Sequence, residues 1–173
     1  FPLLLPLLDQ PCPVERMSAV YALGRNPCPN AVQKLVSLLE TDDNAYVRRA
    51  TAWSLANYDN QIVLEPLINA LKNDVAAVRL WSSSSLAEIG NVSLENAQLA
   101  AEQLLVSLKI DNESGVRSNC IWSLCRLYEK LNNAFQESFI DECTKIALFD
   151  KEPSVMEEAK TALDSMGMQG FYN

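Results

Sequence analysis

Residues 15–23 read ERMSAVYAL, residues 47–55 read VRRATAWSL, residues 78–86 read VRLWSSSSL and residues 116–124 read VRSNCIWSL. The four stretches align without a gap, and a weaker fifth copy, VMEEAKTAL, spans residues 155–163. The closing leucine stands at 23, 55, 86, 124 and 163, in steps of 32, 31, 38 and 39. Arginine holds the second place at 16, 48, 79 and 117, and Met156 replaces it in the last copy. Self-similarity at periods of roughly 20–50 residues marks a stacked-repeat architecture.

Working outward, four of these copies are preceded by another apolar stretch of helical period. These are AVQKLVSLL at 31–39, IVLEPLINAL at 62–71, AQLAAEQLLVSL at 97–108 and FIDECTKIAL at 139–148. The links between the two halves, TDDNA, KND, IDNES and DKEPS, are short and polar. Period-two alternation is scarce, so each unit reads as helix A, turn, helix B. One helix pair cannot bury its apolar stripe, whereas stacked pairs can. The sequence therefore predicts an all-α solenoid of about five helix pairs in one domain. The expected repeats cover about 1–26, 29–58, 61–90, 94–130 and 134–167.

Composition narrows the chemistry. The chain has 173 residues and no histidine, which excludes a Ser-His-Asp triad or a His-ligated metal within it. Its net charge of −8 opposes phosphate backbones, so nucleic acid is not an expected partner. No apolar run is long enough for a membrane span, so no membrane insertion is expected. Neither a Gly-rich phosphate loop nor a carboxylate pair suited to acid–base work stands out. Five cysteines in no CxxC cluster read as reduced thiols, and the expected location is cytoplasmic. The opening FPLLLPLL lacks a basic leader and reads as a truncated first helix, not a signal peptide, so the chain is expected to be part of a longer protein.

The pattern VRxxAxxAL on the second helix resembles HEAT repeats. The resemblance covers nearly the whole chain and implies a right-handed superhelix with the B helices on the concave face. It also implies a ladder along the A–B turns. An acid six residues before the arginine bonds the arginine of a stacked neighbour. Asp42 with Arg48 and Asp111 with Arg117 keep that spacing, while Asn73 with Arg79 and Gln10 with Arg16 keep it with a neutral amide. These arginines are expected to be structural.

Each residue turns a helix by about 100°, so the outward side of the B helices can be read from the sequence. With Val47 at 0°, Val47, Thr51, Ser54, Leu55 and Tyr58 make the buried stripe. Arg49, Ala52, Trp53 and Ala56 lie opposite. The same positions hold Met17, Val20, Tyr21 and Gly24 in the first copy. They hold Leu80, Ser83, Ser84 and Ala87 in the third, and Ser118, Ile121, Trp122 and Cys125 in the fourth. The fifth carries Glu157, Lys160, Thr161 and Asp164, an ordinary solvated face. On the concave side of a solenoid, Met17, Tyr21, Arg49, Trp53, Leu80, Ser84, Ile121, Trp122 and Cys125 would line a groove for a partner or ligand. Exposed apolar patches of this kind mark interaction sites. The large and small residues at the Trp81 and Ser84 positions are swapped relative to the other copies, which predicts a notch at Ser83 and Ser84 beside Trp53. Cys125 is expected to be exposed, with Arg126 as a nearby cation that could favour its thiolate. Cys12 and Cys28 sit in Pro-Cys-Pro turns at opposite ends of the first B helix, too far apart to bridge. Cys120 and Cys143 are expected in the core, and no metal site is expected.

The copies VRRATAWSLANYDN and its relatives also resemble the HEAT repeats of the cyanobacterial phycobilin lyase family. That family attaches open-chain tetrapyrroles to phycobiliprotein cysteines, often as heterodimers of two HEAT subunits. Its relatives include a HEAT protein that interacts with an iron–sulfur carrier. Thr51-Ala52-Trp53-Ser54-Leu55-Ala56 matches part of a Tyr-Ala-Ala-Trp-Trp-Leu-Gly stretch typical of one lyase subunit. No catalytic residue carries over. The resemblance implies two functions. One is a cofactor-free adaptor for a protein partner: a phycobiliprotein, a second HEAT subunit or an iron–sulfur carrier. The other is a lyase subunit or bilin chaperone, with Trp53, Trp122 and Tyr21 stacking on a phycobilin and Arg49 meeting a propionate.

Overall fold

The computed structural model describes residues 3–168. Among them are nine α-helices and no strand. They are α1 (Pro13–Arg25), α2 (Val32–Thr41), α3 (Ala45–Leu55), α4 (Leu64–Asn73), α5 (Ala76–Gly90), α6 (Leu94–Ile110), α7 (Ser114–Leu127), α8 (Asn133–Phe149) and α9 (Pro153–Ser165). The odd-numbered B helices stack on one another as an inner layer. The even-numbered A helices lie outside them, each against its own B helix.

Local chemistry sets the helix boundaries. Pro13 and Pro153 open α1 and α9, where a missing N–H costs nothing. Asn44, Ser93 and Asn132 cap α3, α6 and α8, their side-chain oxygens accepting first-turn N–H groups. Each A helix stops at an aspartate in an extended conformation: Asp42, Asp74, Asp111 and Asp150. Their carboxylates then accept a backbone N–H one or two residues on, at 2.7–3.0 Å. Aspartate favours such turns because its side chain substitutes for a backbone acceptor.

The longer spacing of the later repeats goes largely into the outer layer. Helices α6 and α8 have 17 residues each, against 10 each in α2 and α4. The opening segment departs from the expected truncated helix. Residues 1 and 2 of that stretch lie outside the described residues, and Leu5–Asp9 forms a short 3-10 stretch against α1. Pro6 within it and Pro11 just after it withhold the N–H groups a longer helix needs.

The repeated leucines at 23, 55, 86, 124 and 163 are all fully buried. Each contributes about 1.5–3 kcal/mol by leaving water. Small residues let the B helices approach closely. The Ser85 hydroxyl donates to the Ala52 carbonyl of α3 at 2.7 Å, and Ser123 donates to the Ser83 carbonyl of α5 at 2.6 Å. These serines share one helical position, so the same bond recurs from one B helix to the previous one. Tyr58 ties a turn in the same economical way: its hydroxyl donates to the Leu23 carbonyl at 3.0 Å and accepts the Cys28 N–H at 3.1 Å.

Candidate functional site

The A–B turns carry a continuous ladder of ion pairs. Arg16 grips Asp42 with Nε and Nη2 at 2.9 and 3.0 Å, and Arg48 grips Asp74 at 3.0 and 3.0 Å. Arg79 grips Asp111 at 2.8 and 3.0 Å, and Arg117 grips Asp150 at 3.2 and 2.9 Å. In every rung the remaining Nη1 donates to a backbone carbonyl of the arginine's own turn: Gln10, Asp42, Asp74 or Asp111. Hydrogen bonds donated to the aspartates push the pKa of Arg16, Arg48 and Arg79 above its usual value.

The ladder corrects two parts of the sequence reading. The acid of the third repeat's turn is Asp74, five residues before Arg79, because the KND turn is shorter; the Asn73 amide takes no part. The residue six before the arginine serves that arginine through its carbonyl, so Gln10 contributes backbone alone. A fourth acid, Asp150, went unnoticed because Met156 stands where its own repeat's arginine would be. The spacing of Asp150 to Met156 was the available signal.

The inner face is less regular. Every B helix between two others is covered on both flanks as well as by its A helix, so only a narrow arc remains open. Val20, Ala52, Ser83 and Ile121, at one helical position, are completely buried. Ile121 therefore faces the neighbouring repeat and not a groove, and Gly24 and Ala87 are likewise buried. Met17, Tyr21, Arg49, Trp53, Leu80, Ser84 and Cys125 are half-buried along the open arc, and Trp122 is 41% exposed.

Trp53 leans back onto the preceding repeat. Its ring meets Tyr21 with centroids 5.5 Å apart, and a Cβ on Gly24 would lie 2.4 Å from it. Trp122 carries Arg126 over its ring at 5.0 Å, and Arg126 pairs with Glu88 at 3.1 Å. Trp81, which the helical angles placed beside the groove, is 38% exposed on the same face. Its signal was present in the sequence: a Trp at the position Ala50 occupies one repeat earlier.

Two hollows indent this face. One, about 300 Å³, is lined by Ser84, Ser118, Asn119, Trp122 and Glu158. The expected notch therefore opens beside Trp122, not Trp53. Ser83 is buried, its hydroxyl donating to Leu80, while Ser84 accepts a bond from Asn119 at 2.8 Å. The other hollow, about 220 Å³, is lined by Pro13, Val14, Met17, Asn44, Tyr46 and Arg49.

Cys125, expected to be exposed, is half-buried. Burial pushes it up to about 11, with the Glu158 charge acting in the same direction, while Arg126 is engaged by Glu88 and Trp122. Cys120 and Cys143 are buried, and desolvation raises both. Among the described residues no three Cys, Asp or Glu side chains converge as metal ligands. No helix among them is long and apolar enough to cross a membrane.

The family model described as HEAT repeats matches residues 1–87 and again 32–125. Among solved structures, the chain is similar to one from the complex of CpcE and CpcF of phycocyanin lyase from Nostoc sp. PCC7120. The TM-score is 0.72 and the identity 22%, over 93% of this chain and 96% of that one. It is also similar to a designed armadillo repeat protein, with TM-score 0.65 and 21% identity over 94% of this chain and 80% of the other. A designed armadillo repeat protein in complex with the peptide (KR)4 aligns at TM-score 0.58 and 18% identity, over 99% of each chain. At these identities the likeness is one of fold.

Proposed function

The chain belongs to the HEAT-repeat family, and on that footing we propose that it is a binding scaffold whose inner face receives a protein partner in phycobiliprotein maturation. The observation that carries this reading is the exposure of Trp122 on the inner face, at the hollow it lines with Ser84 and Glu158, with Trp81 also exposed one repeat earlier. Water-exposed tryptophans next to a concavity are what interface hot spots look like before a partner arrives. The likeness to a phycocyanin lyase chain supports a phycobiliprotein as that partner, with a second HEAT subunit completing the assembly. An iron–sulfur carrier is the other partner class implied by the sequence resemblance. In each case the site of action is the cytoplasm.

Binding of purified phycocyanin subunits, followed by calorimetry, tests the reading. Trp81→Ala and Trp122→Ala should each weaken binding by about 2 kcal/mol while the helical circular dichroism stays unchanged. Unfolding of both variants, or binding unaffected by either, overturns it.

A bilin-handling role is the second reading. The Tyr21–Trp53 pair and the aromatic Trp122 offer ring faces for a tetrapyrrole, and Arg49 offers a cation for a propionate. In that role the nucleophilic cysteine belongs to the acceptor protein, and this chain supplies orientation. Titration with free phycocyanobilin tests it. Saturable tryptophan quenching with a sharpened visible band supports bilin binding, and no change at concentrations where phycocyanin binds removes it.

A further inference from the structure

The hollow between α1 and α3 differs chemically from the rest of the inner face. Its floor and walls are Pro13, Val14, Met17 and the Tyr46 ring, with the Arg49 guanidinium 5.2 Å from that ring's centroid. The Arg49 Nε is buried and has no hydrogen-bond partner, and no carboxylate among the described residues pairs with this side chain. A buried donor without an acceptor is costly to the fold. The molecule itself shows what such a group takes. Four times, at Arg16, Arg48, Arg79 and Arg117, the Nε and Nη2 edge of a guanidinium holds an aspartate.

We propose that this hollow is a recognition site for a carboxylate side chain of a partner polypeptide, with an apolar side chain beside it. The proposal deepens the scaffold reading and rests on it in one respect, that the inner face meets a polypeptide. The carboxylate lands on the half-exposed guanidinium. A small rotation of the Arg49 side chain turns Nε toward it, which supplies the missing acceptor and makes a bidentate pair. The neighbouring apolar residue fills the space between Val14, which is well exposed, and Met17. The Asn44 side-chain oxygen is not the acceptor that Arg49 lacks, because it caps α3 and accepts the Tyr46 and Val47 N–H groups. The hollow near Trp122 carries Glu158 instead, so these two concavities have opposite charge preferences.

The test is NMR on protein labelled with 15N-arginine, titrated with the capped peptides Ac-Phe-Glu-Leu-NH2 and Ac-Phe-Gln-Leu-NH2. The expected result is a saturable shift of the Arg49 Nε–Hε signal with the glutamate peptide. The glutamine peptide should bind about tenfold more weakly or worse, matching the loss of one charge-assisted pair. Added salt should weaken the glutamate peptide alone. Arg49→Gln should erase the difference between the peptides with circular dichroism unchanged. Equal binding of the two peptides, or an unmoved Arg49 signal at millimolar peptide, overturns the site. If phycocyanin then still binds in a Trp122-dependent way, the scaffold reading stands and the carboxylate site alone has failed. If the glutamate peptide moves Arg49 and phycocyanin does not bind, the site stands and the named partner is wrong.

Discussion

Two arginines one residue apart on α3 face different edges of the repeat. Arg48 turns to the A–B turn, where Asp74 and the Asp42 carbonyl take its Nε, Nη1 and Nη2. Arg49 turns across the inner face, where it rests on the Tyr46 ring and meets no carboxylate among the described residues. The first is part of a ladder that repeats with every helix pair. The second has no copy: Leu80 and Ser118 hold its place in the next two repeats. Residues that recur with the period hold the stack together, and residues that break the period give the inner face its individuality.

Deleting each arginine in turn is the strongest way to break this contrast. Arg48→Ala leaves Asp74 without its cation at a nearly buried position and should cost about 3–5 kcal/mol in urea unfolding. Arg49→Ala should stay within about 0.5 kcal/mol of the parent protein. Equal losses would mean that the inner-face cation is also structural. A smaller effect is expected where the two regions meet, at Gly24. In Gly24→Ala the new methyl collides with the Trp53 ring, an overpacking that costs about 1–3 kcal/mol against a helix-propensity gain of about 1 kcal/mol. The marker is a red shift of tryptophan emission as Trp53 is pushed into water. An unchanged spectrum would show that Trp53 does not lean on the preceding repeat.

The smallest effect is a pH dependence. The Cys125 thiol is raised in the fold to about 11, so the folded state holds its proton more tightly than the unfolded chain does. Its stabilising contribution is complete below the ordinary thiol pKa and is lost as the pH rises through about 11. Buried Cys120 and Cys143 are shifted in the same direction. Stability should therefore decline across this alkaline range, and at neutral pH iodoacetamide should label exposed Cys12 well before Cys125. Rapid labelling of Cys125 at neutral pH would contradict its burial.

The sequence made the fold legible because the repeat is written in it: the leucine column, the arginine column and the polar turns are visible without coordinates. The inner face was legible only in part. Helical angles assume one buried side, but a B helix inside a stack has three. Ile121 and Ala52 therefore lie against neighbours although they stand far from the main stripe. Trp81 takes the position that buried Ala50 holds one repeat earlier, and the larger side chain is 38% exposed. The acids of the ladder were misread by one residue at Asp74 because one turn is shorter. Asp150 escapes the motif because Met156, not an arginine, stands six residues after it. Arg49 is legible in the sequence as a cation on the outward side of α3, but its missing partner is visible only in three dimensions.

The ladder also has a direction. Each guanidinium precedes the carboxylate it holds by 26 to 33 residues. A ribosome releases the amino end first, and domains generally fold in that order during synthesis. Arg16 is therefore outside the ribosome before Asp42, and Arg79 before Asp111. Each aspartate that closes a new turn emerges to find its cation already displayed on the helix pair before it. A stack that grew from its amino end would add each turn onto a cation already in place, with the newest turn the receiver.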